Sequence, residues 1–292
     1  LAQVDEEILG DPGRAVGDFR RVLEVDPSHV PAYKALERLY ADGKAWKELD
    51  ETLAREVSHV EPKEQVALIY RRAELHALQL NNPAQAVELL EDVVTMHPGH
   101  ADGRELLEEL LSQPAQRQRV ARLLEPLYER DKLWKDLCVV LRAQREAAGE
   151  PAAAVELLAR IATIEETHLE NGRQAFDTWV TALTADPSDD RPRAAILRLA
   201  GTYERWGDAA QAFDKAASST NDVSVAVPLL RQLAEIADVS LGDNARAVAA
   251  YQRLYKIDPA DPEVAGPALA ALARLHDEDE RWTDLRDTLR AR

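Results

Sequence analysis

The chain is poor in the residues that stabilise small secreted or membrane-embedded folds. It has one cysteine, 12 glycines and 5% aromatic residues among 292 residues. The single Cys138 has no partner for an internal disulfide, which favours a reducing compartment and predicts a cytoplasmic location, although a signal upstream of Leu1 stays open. No apolar run approaches the roughly 20 residues that cross a bilayer, so membrane insertion is not expected.

Basic residues are also scarce. The 36 Lys and Arg residues stand against 53 Asp and Glu residues, a formal net charge of −17. Nucleic-acid binders gain affinity by neutralising phosphates with Lys and Arg, so this balance argues against a nucleic-acid partner and against an anionic membrane surface. It favours other proteins or peptides, particularly basic ones, as partners.

One spacing recurs four times along the chain. An alanine precedes a proline by twelve positions, and apolar residues follow the alanine at +4 and +7. The pairs are Ala15 and Pro27, Ala86 and Pro98, Ala175 and Pro187, and Ala247 and Pro259. These offsets place the apolar residues on one stripe of a helix, and the proline ends that helix.

Thirteen positions before each anchor lies a second alanine, which predicts close packing of a preceding helix. These residues are Ala2, Ala73, Ala162 and Ala234. Gly or Asn, followed by an N-capping Asn or Asp, separates the two helices, as in Asn81-Asn82 and Gly242-Asp243. Each unit therefore opens with a helical hairpin.

A second pattern, centred on tryptophan, follows each proline. Trp46, Trp134, Trp206 and Trp282 share it, with Leu or Ile at −10, Leu at −7 and apolar residues at +3 and +7. Repetition in one register predicts that these tryptophans lie between helices in the core. Trp179 stands at the position that Phe19, Leu90 and Tyr251 occupy in the other copies, and it is predicted to lie in the core as well.

The anchors divide the chain into four units, at about 1–60, 61–148, 149–219 and 220–292, with 16 or 17 helices. The second unit carries 17 extra residues near 101–117, which predict an additional short helix over 101–111 and an irregular joint. In the fourth unit the spacing from Ala247 to Trp282 is four residues longer than from Ala175 to Trp206, which predicts a loop insertion near 261–266. The pattern begins and ends within a helix, as expected of a fragment of a longer array.

The third copy resembles the second helix of the tetratricopeptide repeat. It has Ala, a bulky apolar residue, a small residue and Pro at the offsets of that helix, as Ala175, Trp179, Ala182 and Pro187. The Trp-centred hairpins resemble degenerate copies, so the chain is similar to the long arrays of this family in bacteria, with good and degenerate repeats alternating. The resemblance implies an all-α, right-handed superhelical solenoid of stacked antiparallel hairpins. It also implies a groove, lined by the first helices, that binds peptides or partner domains.

By this resemblance, groove residues flank the small alanines of the first helices. They are Lys34, Arg38, Tyr70, Arg71, Glu74, Arg160, Thr163, Glu166, Arg231, Glu235 and Asp238. The Lys and Asn clamp by which some family members hold a C-terminal carboxylate is not reproduced at these positions. The mixture of Arg and acids indicates a groove for a folded or basic segment, or else an ordinary charged surface.

Several patterns that could indicate a metal or catalytic site are predicted to have structural roles instead. His97 and His100 match Asp26 and His29 in another copy, so helix capping is expected and a metal site is not. The pairs Glu56–His59 and Glu165–His168 are expected on solvated helix faces, because they lie at non-equivalent positions of distant repeats. Cys138 is expected to be a buried small apolar residue.

The sequence therefore predicts a non-catalytic scaffold without cofactors or metals, which binds partner proteins through the groove. The alternative is an architectural or regulatory arm, a spacer or sensor fused to an effector domain. A closed helical toroid enzyme and helical-repeat RNA binding are less favoured readings. The oligomeric state is open, and end-to-end packing of the terminal helices is an expectation that rests only on where the pattern ends.

Overall fold

The computed structural model describes residues 12–291, and within that range the secondary structure consists of helices joined by short turns. Sixteen α-helices are present among these residues: α1 Pro12–Val25, α2 Val30–Asp42, α3 Trp46–Glu56, α4 Pro62–Leu78, α5 Pro83–Met96, α6 Ala101–Leu110, α7 Arg117–Asp131, α8 Trp134–Glu146, α9 Pro151–Thr167, α10 Gly172–Ala185, α11 Asp190–Tyr203, α12 Trp206–Ser219, α13 Val223–Glu235, α14 Asn244–Ile257, α15 Pro262–Glu278 and α16 Trp282–Ala291. A 3₁₀ turn, Val57–His59, follows α3, and a π-helical segment, Ile236–Ser240, follows α13.

The helices form two compact units, Leu1–Ala143 and Gln144–Arg292. Within each unit, helices that are adjacent in sequence pack together, as α4 does with α5 and α9 with α10. Because the connections are short, these pairs are antiparallel hairpins. The prediction of an all-α array of helical hairpins is confirmed, and the described helices match the predicted number. The division into four units and the handedness of the superhelix stay predictions.

The repeated alanines lie where helices touch. Ala15, Ala86, Ala175 and Ala247 on the second helices have no exposed surface, nor do Ala73, Ala162 and Ala234 on the first helices. Ala2 lies outside the described residues. A methyl side chain lets two helix backbones approach closely, so the conserved spacing within this chain marks the crossing points of the hairpins.

A left-handed residue marks each turn within a hairpin. Gly242 (φ 62°) and Asn81 (φ 48°) precede the N-caps Asp243 and Asn82, as predicted. In the third copy the left-handed residue is Glu170 (φ 51°), one position before the Asn and Gly expected there. The Trp-centred hairpins share a second such position, two residues before each tryptophan: Lys44, Lys132, Glu204 and Glu280.

The additional helix in the second unit is confirmed as α6, which is followed by a turn before α7. Three helices thus separate α5 from α9, where the other described copies have two. The loop insertion predicted near 261–266 is wrong. The extra residues lengthen a helix instead, since α15 begins directly after the capping Asp261 and has 17 residues, whereas α11 has 14.

The tryptophans follow the core prediction only in part. Trp179 is 8% exposed, and Trp46 and Trp206 are partly buried against the cores of their units. Trp206 lies against Gly201, where an added Cβ would come within 3.3 Å of the ring. Trp282 is 60% exposed, so its core assignment is wrong. It opens the last described helix, and no described helix covers its outer side.

Candidate functional site

The predicted groove residues of unit Leu1–Ala143 lie on α2 and α4, the first helices of successive hairpins. Lys34 of α2 places Nζ 2.9 Å from Oε1 of Glu37 and 3.0 Å from Oε1 of Glu56. Arg71 of α4 forms an ion pair with the other oxygen of Glu37. Arg38 is exposed on α2. Lys34 and Arg71 therefore meet at a pair of carboxyl groups, Glu37 and Glu56, which were not among the predicted groove residues.

The two carboxyl groups of this cluster differ in pKa. Glu56 is fully buried, and this burial, together with the neighbouring Glu37, raises its pKa to about 7. Burial alone would also raise the pKa of Glu37, but hydrogen bonds with Glu56, Lys34 and Arg71 hold it below its usual value. A protonated Glu56 next to an ionised Glu37 relieves the repulsion of two carboxylates in one site.

This cluster corrects one prediction. Glu56 was expected on a solvated helix face and is fully buried, because the last turn of α3 faces Lys34 and Glu37 of α2. Glu165 was expected to be solvated as well and is 2% exposed, with Oε2 accepting a hydrogen bond of 2.6 Å from the hydroxyl of Thr178. Both glutamates are structural partners inside hairpins.

Tyr70 and Glu74 lie one turn apart on α4. The ring of Tyr70 packs against that of His100, with centroids 4.9 Å apart. Burial raises the pKa of the Tyr70 phenol, and the negative charges of Glu74 and of three acids on α6 raise it further. Those three acids are Asp102, Glu105 and Glu109. The exposed face shared by α4 and α6 is therefore strongly acidic.

Two clefts lie beside α4. One, of about 300 Å³, lies near its C-terminal end and is lined by Trp46, Arg71, Glu74 and Leu78 among others. The other, of about 450 Å³, lies near its N-terminal end and is lined by Val66 of α4 and by Met96 and His97 at the end of α5, among others.

In unit Gln144–Arg292 the predicted residues of α9 include an ion-pair partner. Glu166 receives two hydrogen bonds from Arg198 of α11, at 2.5 and 2.8 Å. The Thr163 hydroxyl donates to the carbonyl of Ala159 at 2.8 Å, which satisfies it within its own helix. Arg160 is partly buried on the same helix. Glu166 thus bridges two successive first helices.

The predicted residues of α13 behave similarly. Asp238, in the π-helical segment, pairs with Arg274 of α15 and accepts a hydrogen bond of 3.4 Å from the Tyr251 hydroxyl. Arg231 is exposed and reaches the carbonyl of Glu263 at 3.4 Å. Glu235 is exposed, one turn from Arg231.

The two bridges follow one rule in the sequence. The acid stands four positions after the small alanine of a first helix, and the arginine stands eight positions before the next Trp of the Trp-centred pattern. Arg38 fits the arginine position, and its counterpart Glu6 lies outside the described residues. The second copy has Ala77 and Pro126 instead, so it lacks both members. Comparing polar residues across copies, as well as apolar ones, identifies this pairing.

Two of the histidines cap helices with their side chains. His100 Nδ1 accepts a hydrogen bond of 2.9 Å from the backbone N–H of Gly103 at the start of α6, and His29 caps α2 in the same way at 3.1 Å. The capping prediction is confirmed for His100. Cys138 is buried, as expected. Among residues 12–291, no three His, Cys, Asp or Glu side chains lie together as metal ligands would.

A comparison with protein families gives one match. The family model described as tetratricopeptide repeat matches residues 225–261, so this segment is similar to that repeat. The segment runs from the first turn of α13 to the N-cap of α15, which is the well-formed hairpin of the fourth copy. The resemblance inferred from Ala234, Ala247 and Pro259 is therefore confirmed where those residues lie.

Solved structures with similarity to the chain include two proteins with tetratricopeptide repeats and a Naa15/Naa10 complex. The C-terminal part of a tetratricopeptide repeat-containing protein from Cytophaga hutchinsonii is 12% identical, with 90% of this chain and 95% of that chain covered and a TM-score of 0.29. A signal transduction ATPase with numerous domains and a tetratricopeptide repeat sensor, from Pyrococcus horikoshii, is 12% identical over 99% of this chain and 44% of that chain (TM-score 0.34). In a structure of Naa15/Naa10 bound to HypK-THB, the matching chain is 17% identical over 98% of this chain and 51% of its own length (TM-score 0.35). No curated protein matches the chain.

The family has well-defined general properties. Tetratricopeptide repeats generally mediate protein–protein interaction, and their fold is typically a non-catalytic scaffold. A membrane-spanning segment needs a long apolar helix, and none of the helices within residues 12–291 meets that requirement.

Proposed function

We propose that the chain is a protein-interaction scaffold that binds partner proteins or peptides through exposed faces of its first helices. The observation that carries this proposal is the face formed by α4 and α6, where Tyr70 and Glu74 stand beside open clefts and among exposed acids. The family match to residues 225–261 supports it. Clefts with apolar walls and a charged rim are typical of binding surfaces.

The faces differ in character between the two units. In Gln144–Arg292, Glu166 and Asp238 are held by arginines of the next first helix, so these side chains stabilise the stacking of hairpins. In Leu1–Ala143, Glu74 forms no ion pair among the described residues, and the cleft beside it is open. The proposal therefore places partner binding mainly on the first unit.

The proposal is tested by placing a photo-crosslinking amino acid at single sites of the full chain in its native cells. Sites on first helices are Glu74 and Glu235, and matched exposed sites on second helices are Glu88 and Gln252. We expect defined partner proteins to crosslink from Glu74 in much higher yield than from Glu88. Equal background yields at all four sites would contradict the proposal and favour the alternative of an architectural or regulatory arm.

A further inference from the structure

The cleft beside the N-terminal end of α4 is an open, mostly apolar cleft of unit Leu1–Ala143. It has a volume of about 450 Å³. Its walls are Pro62, Val66 and Ala67 of α4 and Met96 at the end of α5. Met96 is 44% exposed although methionine usually packs in cores. An open apolar cleft of this size accommodates one large aliphatic or aromatic side chain.

His100 connects this cleft to the acidic face. Its ring lines the cleft and also packs against Tyr70. Because Nδ1 accepts the capping hydrogen bond from Gly103, the ring is held in place as part of the wall. A ligand side chain that occupies the cleft therefore determines which residues of α6 the adjacent side chains of the same ligand contact.

Those neighbours would meet four carboxylates. Glu74, Asp102, Glu105 and Glu109 are all exposed, and all lie near enough to Tyr70 to act on its phenol. No ion pair involving them occurs among the described residues. The nearby Arg104 is turned to the other side of α6, where it pairs with Glu108 and Asp131.

Unpaired like charges on one face repel each other, and a cationic ligand relieves this repulsion. The apolar cleft alone would accept many ligands. The carboxylates at its α6 end select among them, since an acidic segment would add to the repulsion. Lys63 is the one lysine among the residues that line the cleft, and it lies in the first turn of α4.

We infer that this surface binds a basic peptide segment, with one large apolar side chain in the cleft of Val66, Ala67 and Met96 and with Lys or Arg side chains on Glu74, Asp102, Glu105 and Glu109. The inference rests on the proposed function and specifies the ligand class and its site. It assigns the cleft to the anchor and the α6 acids to charge recognition.

The test uses the purified full chain and a library of random 12-residue peptides displayed on phage. Enriched peptides are sequenced, and the strongest is synthesised with a fluorescent label for anisotropy titration. Two variants carry the same change of charge. Glu105→Lys with Glu109→Lys alters the proposed site, while Glu88→Lys with Asp92→Lys alters the exposed side of α5. A third variant, Met96→Gln, makes the cleft polar. Circular dichroism verifies that each variant is folded.

We expect enriched peptides in which an apolar residue is flanked by Lys or Arg. The α6 variant should weaken binding about 10-fold or more, Met96→Gln about 5-fold, and the α5 control less than 2-fold. Absence of enrichment, enrichment of acidic peptides, or equal weakening by both charge variants would overturn the inference. If the inference fails in this way while Glu74 or Glu235 still crosslinks to defined partners, the scaffold function stands and only the assigned ligand and cleft are wrong.

Discussion

At the scale of single residues, Glu56 shows the limit of taking a charged residue to be exposed. It follows Leu49 by seven positions and Leu53 by three, so it lies on the apolar stripe of α3 although glutamate usually faces water. The structure buries it completely between α2 and α3, with Lys34 at 3.0 Å. A buried carboxyl group with a raised pKa makes stability depend on pH.

We predict that Glu56→Gln flattens the pH dependence of stability between pH 5 and pH 8. The folded-state pKa of Glu56, about 7, lies above the ordinary value of 4.5. Its contribution is therefore complete below about pH 4.5 and is lost as pH rises through about 7. The wild type should lose on the order of 2 kcal/mol in free energy of unfolding across this interval relative to the variant. Urea unfolding at each pH measures the difference.

The other groups of the cluster change little in this interval. The lowered pKa of Glu37 affects stability only at acidic pH, and the raised pKa of Lys34 only at strongly alkaline pH. Glu51→Gln, at an exposed position of the same helix, is the matched control and should leave the pH profile unchanged. Parallel profiles for wild type and Glu56→Gln would show that Glu56 does not titrate differently on folding.

The left-handed turn residue of the fourth copy supports a second prediction. Gly242 has φ 62°, which costs about 1 kcal/mol for a residue with a side chain. Gly242→Ala should lower the free energy of unfolding by about 1 kcal/mol. Gly266→Ala, within α15 and with nothing within 4 Å of the added Cβ, should raise it by about 0.5–1 kcal/mol. Thermal unfolding of both variants tests whether the two substitutions change the free energy of unfolding in opposite directions.

At the scale of elements, the alanine and proline spacing predicted helix positions well because it reflects local geometry. The helices before Pro98 and Pro187 end at Met96 and Ala185, as a proline two positions later requires. The lengthened α15 was misread as a loop, because a capping Asp261 followed by Pro262 suits both a turn and a helix start. Exposure of Trp282 could not be predicted, because it depends on which helix packs against it.

The site was predicted only in part for a related reason. Tyr70, Arg71 and Glu74 were found because their spacing from Ala73 places them on one face. Glu37 and the acids of α6 were missed, because their role depends on which helix lies beside α4. The extra helix α6 was predicted, but its contribution to the acidic face required its placement in three dimensions.

The small alanines give a prediction for the hairpin. Ala162 is fully buried on α9, the helix that packs along α10. Ala162→Leu should lower the free energy of unfolding by about 2 kcal/mol, because the added atoms separate the two helices. Ala152→Leu, exposed in the first turn of the same helix, should change it by less than about 0.5 kcal/mol. Equal effects of the two substitutions in denaturant unfolding would contradict close packing at Ala162.

At the scale of the whole molecule, the chain has a net charge of −17, and the acids on its first helices are paired differently in the two units. In unit Gln144–Arg292, acids of the first helices are paired with arginines, as Asp238 is with Arg274. In unit Leu1–Ala143, the acids of α4 and α6 surround Tyr70 without such partners among the described residues. This contrast is the basis for assigning ligand binding to the first unit.

The most direct test of this assignment is hydrogen–deuterium exchange of the full chain with and without the selected basic peptide. The account predicts slower exchange in residues 62–70 and 96–109, which form the cleft and the acidic face, with little change in the Glu88 and Asp92 region of α5. Protection confined to α5, or to residues 144–291, would contradict the claim that α4 and α6 form the binding surface.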